Sequence, residues 1–500
     1  MAFLEVKGIR KAFPGVVALD RIDLAIEKGT VHVFAGENGA GKSTLIRALT
    51  GIMAVDEGSI HIDGRDALVD RSLFDLVAYV PQELNLFPHM TVAENLFMPF
   101  AKTGFGGPVL SRAALARAAE PFLERFDIQA RPDQPVGSIA VSDQQLLQIA
   151  RAATRSKFEV LILDEPTTSL TTREIERLLA IVRRLRDEGR AVVFVSHKMD
   201  EIFRIGTTVT VLRNGRSVGH RAMKDVTEAE LIRLMTGDEV RLDQTFQPAV
   251  ATGEPLLEVE GLSGRGFRDV SFRLRRGEIL GFAGLIGAGR TELMQAMFGY
   301  TRPTAGRVTI EGRPMKLGSP AAAVAAGMLY LSEERKLHGI LPTLSVRENI
   351  GISVLDRICR SGIVSSTREN AIVTDVIADY DIKTSSPEKK IMFLSGGNQQ
   401  KTIIGRAMVR RPRILIFDEP TRGIDVRNKV EIYKIMKKLA EEGVGIILVS
   451  SELAELKRCA TRILTMHHGS TSGEFDALTT DADRLVGAII GSGENRHVVD

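Results

Sequence analysis

An α/β fold written twice in tandem is what the sequence predicts, and three observations predict it. Long segments recur at a near-constant spacing, short apolar strands alternate with helical periodicity, and in each copy a glycine-rich loop separates a strand from a helix. Residues 36–64, GENGAGKSTLIRALTGIMAVDEGSIHIDG, reappear in diverged form as GLIGAGRTELMQAMFGYTRPTAGRVTIEG at 284–312, 248 residues on. LILDEPTTSL (161–170) matches LIFDEPTRGI (415–424), and FVSHKMDEI (194–202) matches LVSSELAEL (448–456), both 254 residues on. The tails pair as well, GHRAMKDVTEAELIRLMTG (219–237) with GEFDALTTDADRLVGAIIG (473–491). A period this long exceeds a solenoid unit and marks a duplicated domain. The expected domains are 1–237 and 256–494, joined by a linker at 238–255 that is polar, contains proline and lacks helical periodicity.

The elements follow in order within each copy. Thr30–Ala35 is a short apolar run, and from Lys42 onward Leu45, Ile46, Ala48 and Leu49 fall at helical spacing. Ser111–Phe126 places Leu115, Ala118, Phe122 and Phe126 on one helical face with Ser111 as N-cap, which predicts a helical insertion in a mixed α/β core. Val160–Leu163 and Ala191–Val195 read as buried strands; Ile279–Ala283, Ile414–Phe417 and Gly445–Val449 repeat the pattern in the second copy.

Composition limits what such a chain does. It has 500 residues, 44% of them hydrophobic, and 66 Lys plus Arg against 63 Asp plus Glu leave a formal charge of +3, so no broad footprint for nucleic acid is expected. Cys359 and Cys459 lack metal-like spacing, and a reduced intracellular setting is the simplest reading. The start, MAFLEVKG, carries no basic and apolar signal pattern, and no apolar run approaches the roughly 18 residues of a membrane span. Work at a membrane would require docking there.

Phosphate chemistry is written most clearly in the first copy. Gly36-x4-Gly41-Lys42-Ser43 follows a strand and opens a helix, the setting of a P-loop NTPase. Gly36, Glu37, Asn38, Gly39, Ala40, Gly41, Lys42, Ser43 and Thr44 are the expected nucleotide cradle: backbone N–H groups surround phosphate oxygens, Lys42 reaches the β- and γ-phosphates and Ser43 ligates Mg²⁺. Asp164, ending a strand, is placed to hold the Mg²⁺ hydration shell, and Glu165 to polarise the attacking water. His197, at the end of the next strand, is a candidate partner of the γ-phosphate, and Gln82 offers an amide oxygen to Mg²⁺.

Together these residues resemble the ATP-binding cassette family. Its signature is best preserved in the second half, where Leu394-Ser395-Gly396-Gly397-Asn398-Gln399-Gln400 leads into a helix. The resemblance covers nearly the whole chain and implies that two nucleotide-binding domains close head to tail, each ATP held between one phosphate loop and the opposite signature. Site one then combines Lys42, Ser43, Gln82, Asp164, Glu165 and His197 with Ser395, Gly396 and Gly397, and Phe13 matches the aromatic that stacks on adenine. Site two combines Gly284, Gly287, Gly289, Arg290 and Thr291 with Asp418 and Glu419, but Arg290 replaces the lysine, Glu333 the glutamine and Ser451 the histidine. Its opposing signature, Ile139-Ala140-Val141-Ser142-Asp143-Gln144-Gln145, has lost the serine hydroxyl at Ala140 and both glycines, at Val141 and Ser142. A guanidinium does not simply replace an ammonium in a phosphate cradle, and Glu333 adds negative charge near a triphosphate. One hydrolytic and one degenerate site are therefore expected.

GAGRTE in the second phosphate loop and SEERKLHG after its glutamine position look like the ATPase subunits of bacterial monosaccharide importers of the ribose, galactose and xylose type. That resemblance implies ATP and Mg²⁺ as cofactors, two copies of a membrane permease and a periplasmic substrate-binding protein as partners, and a peripheral place on the cytoplasmic face of the bacterial inner membrane. Permease docking is expected at 83–110 and 334–360. Nucleoside importers use similar tandem ATPases. A soluble ribosome-associated tandem ATPase is the rival of another class, disfavoured by the short linker and the altered second site.

Overall fold

A computed structural model of the chain describes all residues except 1, 14–15, 38, 101–104, 106–109, 155–157, 168–169, 197, 238–244, 250–253, 286 and 492–500. The chain divides into two compact units, Met1–Val240 and Arg241–Asp500.

The first unit is built on two sheets. Val16–Ile26, Leu4–Phe13, Glu57–Ile62 and Arg65–Asp66 form an antiparallel sheet in that spatial order. The second sheet runs Arg216–Ala222, Thr208–Arg213, Val31–Ala35, Ala191–Val195, Val160–Asp164, Val77–Val80. Its last five strands are parallel to their neighbours, and only Arg216–Ala222 turns back. Val31–Ala35 and Ala191–Val195 are wholly buried, as expected of parallel strands covered on both faces. The consequence for function is that their C-terminal ends share one edge, where open α/β sheets bind ligands.

Helices Val92–Phe97, Arg112–Arg125 and Val141–Ala153 make the insertion. Ser111 caps the second of them, its Oγ accepting the Ala114 N–H at 3.3 Å, and Leu115, Ala119 and Leu123 face the core. The second unit repeats the plan. Its parallel strands run Met328–Leu331, Ile414–Asp418, Gly445–Val449, Ile279–Gly284, Arg462–His467, with Ser470–Asp476 antiparallel at the edge. Its insertion contains Val346–Gly351, Ser366–Asp379 and Gly396–Met408, together with a small hairpin pairing Cys359–Arg360 with Ile363–Val364.

Part of the segment expected as a linker is bound rather than open. Phe246 is only 2% exposed, its ring lies 5.6 Å from that of Tyr433, and its N–H donates to the Arg458 carbonyl at 2.7 Å. Gln247 donates to the Lys457 carbonyl at 2.9 Å. Two hydrogen bonds to the backbone and one buried ring order this stretch, and neither leaves a periodic trace in sequence. Phe246→Ala should cost the second unit about 3 kcal/mol, the usual range for emptying a phenylalanine site, read as a lower midpoint in urea unfolding of the full chain; an unchanged midpoint would mean the segment is only loosely attached.

Candidate nucleotide sites

The first phosphate loop is fixed by close backbone approach. Gly41, at φ 105°, caps the helix Lys42–Leu49, and a Cβ there would stand 2.7 Å from the Ala18 carbonyl oxygen. No side chain fits, so the loop N–H groups stay uncovered at the helix N-terminus. Lys42 Nζ donates to the carbonyls of Gly36 at 2.6 Å and Glu37 at 3.0 Å, which holds the ammonium across the loop mouth. Ser43 is exposed on the first helical turn, Thr44 half-buried beside it, and Ala40 is buried. Phe13 ends its strand 43% exposed, so it belongs to the surface rather than the core.

Two strands over, Asp164 accepts a hydrogen bond from the Tyr79 hydroxyl at 3.3 Å. Burial, aided by the neighbouring Glu165 charge, raises its pKa above the usual carboxylate value. Glu165 leaves the strand through the left-handed region at φ 46°, its N–H bonded to the Val195 carbonyl at 2.9 Å. The turn swings its carboxylate toward Gln82, whose Nε2 donates to Oε2 at 2.8 Å. Asp164, Glu165 and Gln82 are thus brought together as expected; Asn38 and His197 lie outside the described residues.

Sequence reasoning missed a buried carboxylate behind this site. Glu201 Oε2 accepts hydrogen bonds from Thr167 at 2.7 Å and Ser196 at 2.8 Å, tying the segment after the acidic pair to the strand end before His197. Glu455 does the same with Thr421 at 2.8 Å and Ser450 at 2.5 Å. Both glutamates fall at matching places in FVSHKMDEI and LVSSELAEL. That shared position was the signal.

The second phosphate loop has the same backbone, with Gly287 and Gly289 at positive φ and Arg290 opening the helix Arg290–Phe298. Its chemistry differs. Arg290 passes beyond the loop: Nη1 donates to the Ser450 carbonyl at 2.8 Å and Nη2 lies 3.6 Å from Glu419 Oε1. Ser451 Oγ donates to Glu419 Oε2 at 3.1 Å, so both oxygens of that carboxylate are engaged. Thr291 Oγ1 stands 3.3 Å from Asp418 Oδ1, and Tyr330 donates to Asp418 Oδ2 at 2.7 Å. The expected excess negative charge of Glu333 is offset, because its carboxylate pairs with Arg422.

The two signatures differ at the cap. Ser395 Oγ accepts from the Asn398 N–H at 3.4 Å and from Asn398 Nδ2 at 2.9 Å, and Gly397 leaves room for the Asn428 side chain, which a Cβ would meet at 2.2 Å. Ala140 caps the helix Val141–Ala153 with no side-chain hydrogen bond, and Ser142 is buried.

Comparison with known proteins places this geometry. The sequence model described as ABC transporter matches residues 19–168 and 267–422, both phosphate loops included in the repeated pattern it spans. The chain belongs to the ABC transporter family. It is 45% identical over 497 residues to a ribose import ATP-binding protein of Rubrobacter xylanophilus, covering 98% of each chain. It is 43% identical over 492 residues to an arabinose import ATP-binding protein of Pseudomonas syringae pv. tomato, covering 97% of this chain and 96% of that one. Among solved structures, one described as a model of ribosome-bound archaeal Pelota and ABCE1 aligns over 97% of this chain and 80% of its own, at TM-score 0.66 and 19% identity, a likeness of fold. The chain is accordingly an ATPase coupled to transport, with domains that bind ATP. No helix among the described residues is long and apolar enough to cross a membrane.

The charge pattern of the second unit carries a pH signature. Burial raises Glu419 from the usual 4.5 to about 7, against the opposing pull of Arg290 and with help from Glu455 and Asp418. The folded state then holds a proton that the unfolded chain releases near 4.5, so this stabilisation is complete below that pH and is lost as pH rises to about 7. Glu419→Gln should make the fall in unfolding midpoint across this window shallower; an identical profile would place the proton elsewhere.

Proposed function

We propose that the chain is the ATP-hydrolysing subunit driving import of a sugar or sugar-like solute through a partner permease, with one hydrolytic and one degenerate composite site. The observation that carries the asymmetry is where each phosphate-loop cation goes. Lys42 stays over its own loop carbonyls, while Arg290 extends to the Ser450 carbonyl and Glu419. In the first unit the Gln82 amide donates to the glutamate that would polarise water; in the second a guanidinium and a hydroxyl engage its counterpart.

In this reading Ser395, Gly396 and Gly397 complete the site of Lys42, Glu165 and His197, while Ala140 and Ser142 face the loop of Arg290. The oxygen donors Ser43, Asp164 and Gln82 suit Mg²⁺, a hard cation. Bound there, Mg²⁺ would neutralise phosphate charge as the terminal phosphoryl group is transferred to water. The chain's own residues do the rest: Lys42 binds phosphate, Glu165 orients water, His197 supports the γ-phosphate and Phe13 stacks on the base. The degenerate site holds nucleotide and braces the closed form.

Identity with sugar-import ATP-binding proteins over nearly the full length supports the transport reading. In this reading the chain works with a permease in two copies and a periplasmic substrate-binding protein, at a peripheral position on the cytoplasmic face of the inner membrane. Nucleosides remain alternative cargo, distinguished by which ligand stimulates ATPase in the reconstituted complex. Sedimentation with ribosomes in place of membrane co-purification would overturn the reading.

The asymmetry is tested in the assembled transporter. Glu165→Gln should lower ATP turnover on the order of a hundredfold or more, whereas Glu419→Gln leaves most of it. Comparable losses from both would sink the unequal-site reading.

A further inference from the structure

The SEERKLHG segment carries a side chain that the reading above does not use. Arg335 opens the π-helical turn Arg335–Gly339, two residues beyond Glu333. Its Nη1 donates to the Gly396 carbonyl at 3.2 Å, and a Cβ on Gly396 would stand 2.9 Å from Nη2. The guanidinium therefore lies directly against a glycine of the signature. Its Nε is buried with no hydrogen-bond partner among the described residues, and burial lowers the pKa of the group. Leaving a buried cationic donor unpaired is costly. A side chain serving only to fill space would do better as a hydrocarbon.

The turn is fastened to the same helix at a second point, where Arg406 donates to the Gly339 carbonyl. Both ends of Arg335–Gly339 thus grip the helix Gly396–Met408, Arg335 at its first residue. The first unit keeps the second fastening, Arg151 of its helix Val141–Ala153 donating to the Asn85 carbonyl at 2.8 Å, but among the described residues it has no counterpart of the Arg335 contact. Counting from Gln82 as Arg335 is counted from Glu333, the corresponding residue is Leu84, and the place of Gly396 is taken by Val141. Within this chain the arginine accompanies only the intact signature.

We infer that Arg335 is a positioning residue for ATP hydrolysis, holding the Gly396 peptide so that the signature N–H groups and the Ser395 hydroxyl face the triphosphate. This rests on the reading that the second unit's signature completes the site of Lys42. A cation on the Gly396 carbonyl polarises the peptide group it shares with the Gly397 N–H and strengthens that donor. From the other side Asn398 fixes the serine. Its N–H and Nδ2 both donate to Ser395 Oγ, which leaves the hydroxyl proton to be donated outward, and its own Oδ1 accepts from the Lys383 N–H at 2.8 Å. Donors set in place before the charge develops are what transition-state stabilisation requires. Because Arg335 sits in the segment after Glu333, displacement of that segment is handed directly to Gly396.

Mg²⁺-ATPase kinetics of the full chain, with binding of a fluorescent ATP analogue, test this on Arg335→Ala, Arg335→Lys and Ser395→Ala. Arg335→Ala should lower kcat on the order of tenfold to a hundredfold, the scale of a misplaced catalytic group. KM for ATP and analogue affinity should stay within about twofold, because the phosphate loop is untouched. Added guanidinium ion should restore several-fold of the Arg335→Ala rate and none of the Ser395→Ala rate, and Arg335→Lys should fall between. Unchanged kcat in Arg335→Ala, or a loss matched by lost ATP affinity and insensitive to guanidinium, overturns the inference. Should Arg335→Ala fail to fold, Arg335→Lys decides by the same split between kcat and KM. If Ser395→Ala itself hydrolyses normally, the composite-site reading fails instead.

Discussion

The parallel register of three adjacent strands governs everything at the nucleotide sites. In the first unit Val31–Ala35, Ala191–Val195 and Val160–Asp164 lie side by side, which delivers the phosphate loop, Ser196 and the acidic pair to one sheet edge. The pairing continues one bond past the regular ladder. Glu165 N–H meets the Val195 carbonyl and Glu419 N–H meets that of Val449, each at 2.9 Å, and each glutamate then turns through a left-handed φ near 47° (46° and 48°). A non-glycine residue in that region costs roughly 1–2 kcal/mol. Both units bear this cost at the same place, where strain of this kind serves to aim a functional side chain.

Given one backbone, the difference between the units reduces to side-chain reach and charge. A lysine ammonium on a flexible stem settles on two nearby carbonyls; a guanidinium with five donors extends to a carbonyl and a carboxylate together. Arg290 and Glu419 are each almost fully buried, so neither is tolerable there without the other. The same pairing occurs nearby between Arg422 and Glu333. In sequence the three corresponding first-half residues are Lys42, Thr168 and Gln82. Two added carboxylate-binding guanidinium groups and one added carboxylate therefore form a mutually consistent set rather than scattered damage.

Much of this was legible in the sequence, for definable reasons. The repeat and the strand runs were visible because buried parallel strands are continuous apolar segments: Ala191–Val195 and Gly445–Val449 appear with the bounds the sequence suggested. The phosphate loop was visible because its glycines and lysine are contiguous. What escaped were contacts made by residues remote in the chain. Nothing local in Arg290 signals that it will meet Glu419, 129 positions on, or in Glu333 that Arg422 will neutralise it. Phe246 looked like linker because one ring and two hydrogen bonds to the backbone have no period.

The buried glutamates Glu201 and Glu455 extend the same logic one layer deeper. Lys198 Nζ lies 3.1 Å from Glu201, but in the second unit the matching residue is Glu452, which turns to Lys429 at 2.6 Å. Glu455 is left among hydroxyls, and burial together with the Glu452 charge raises its pKa. Asp418, Glu419 and Glu455 thus all have carboxyls pushed toward the protonated form, with burial the largest cause in each. An active phosphoryl-transfer site needs its acidic pair ionised, one carboxylate for metal and one for water. Burial raises Asp164 of the first unit in the same direction, so this trend does not itself divide the two sites; in the proposed division of labour what the second unit contributes to hydrolysis is carried elsewhere in its fold, at the helix end where Ser395, Gly396 and Gly397 are held by Asn398 and Arg335.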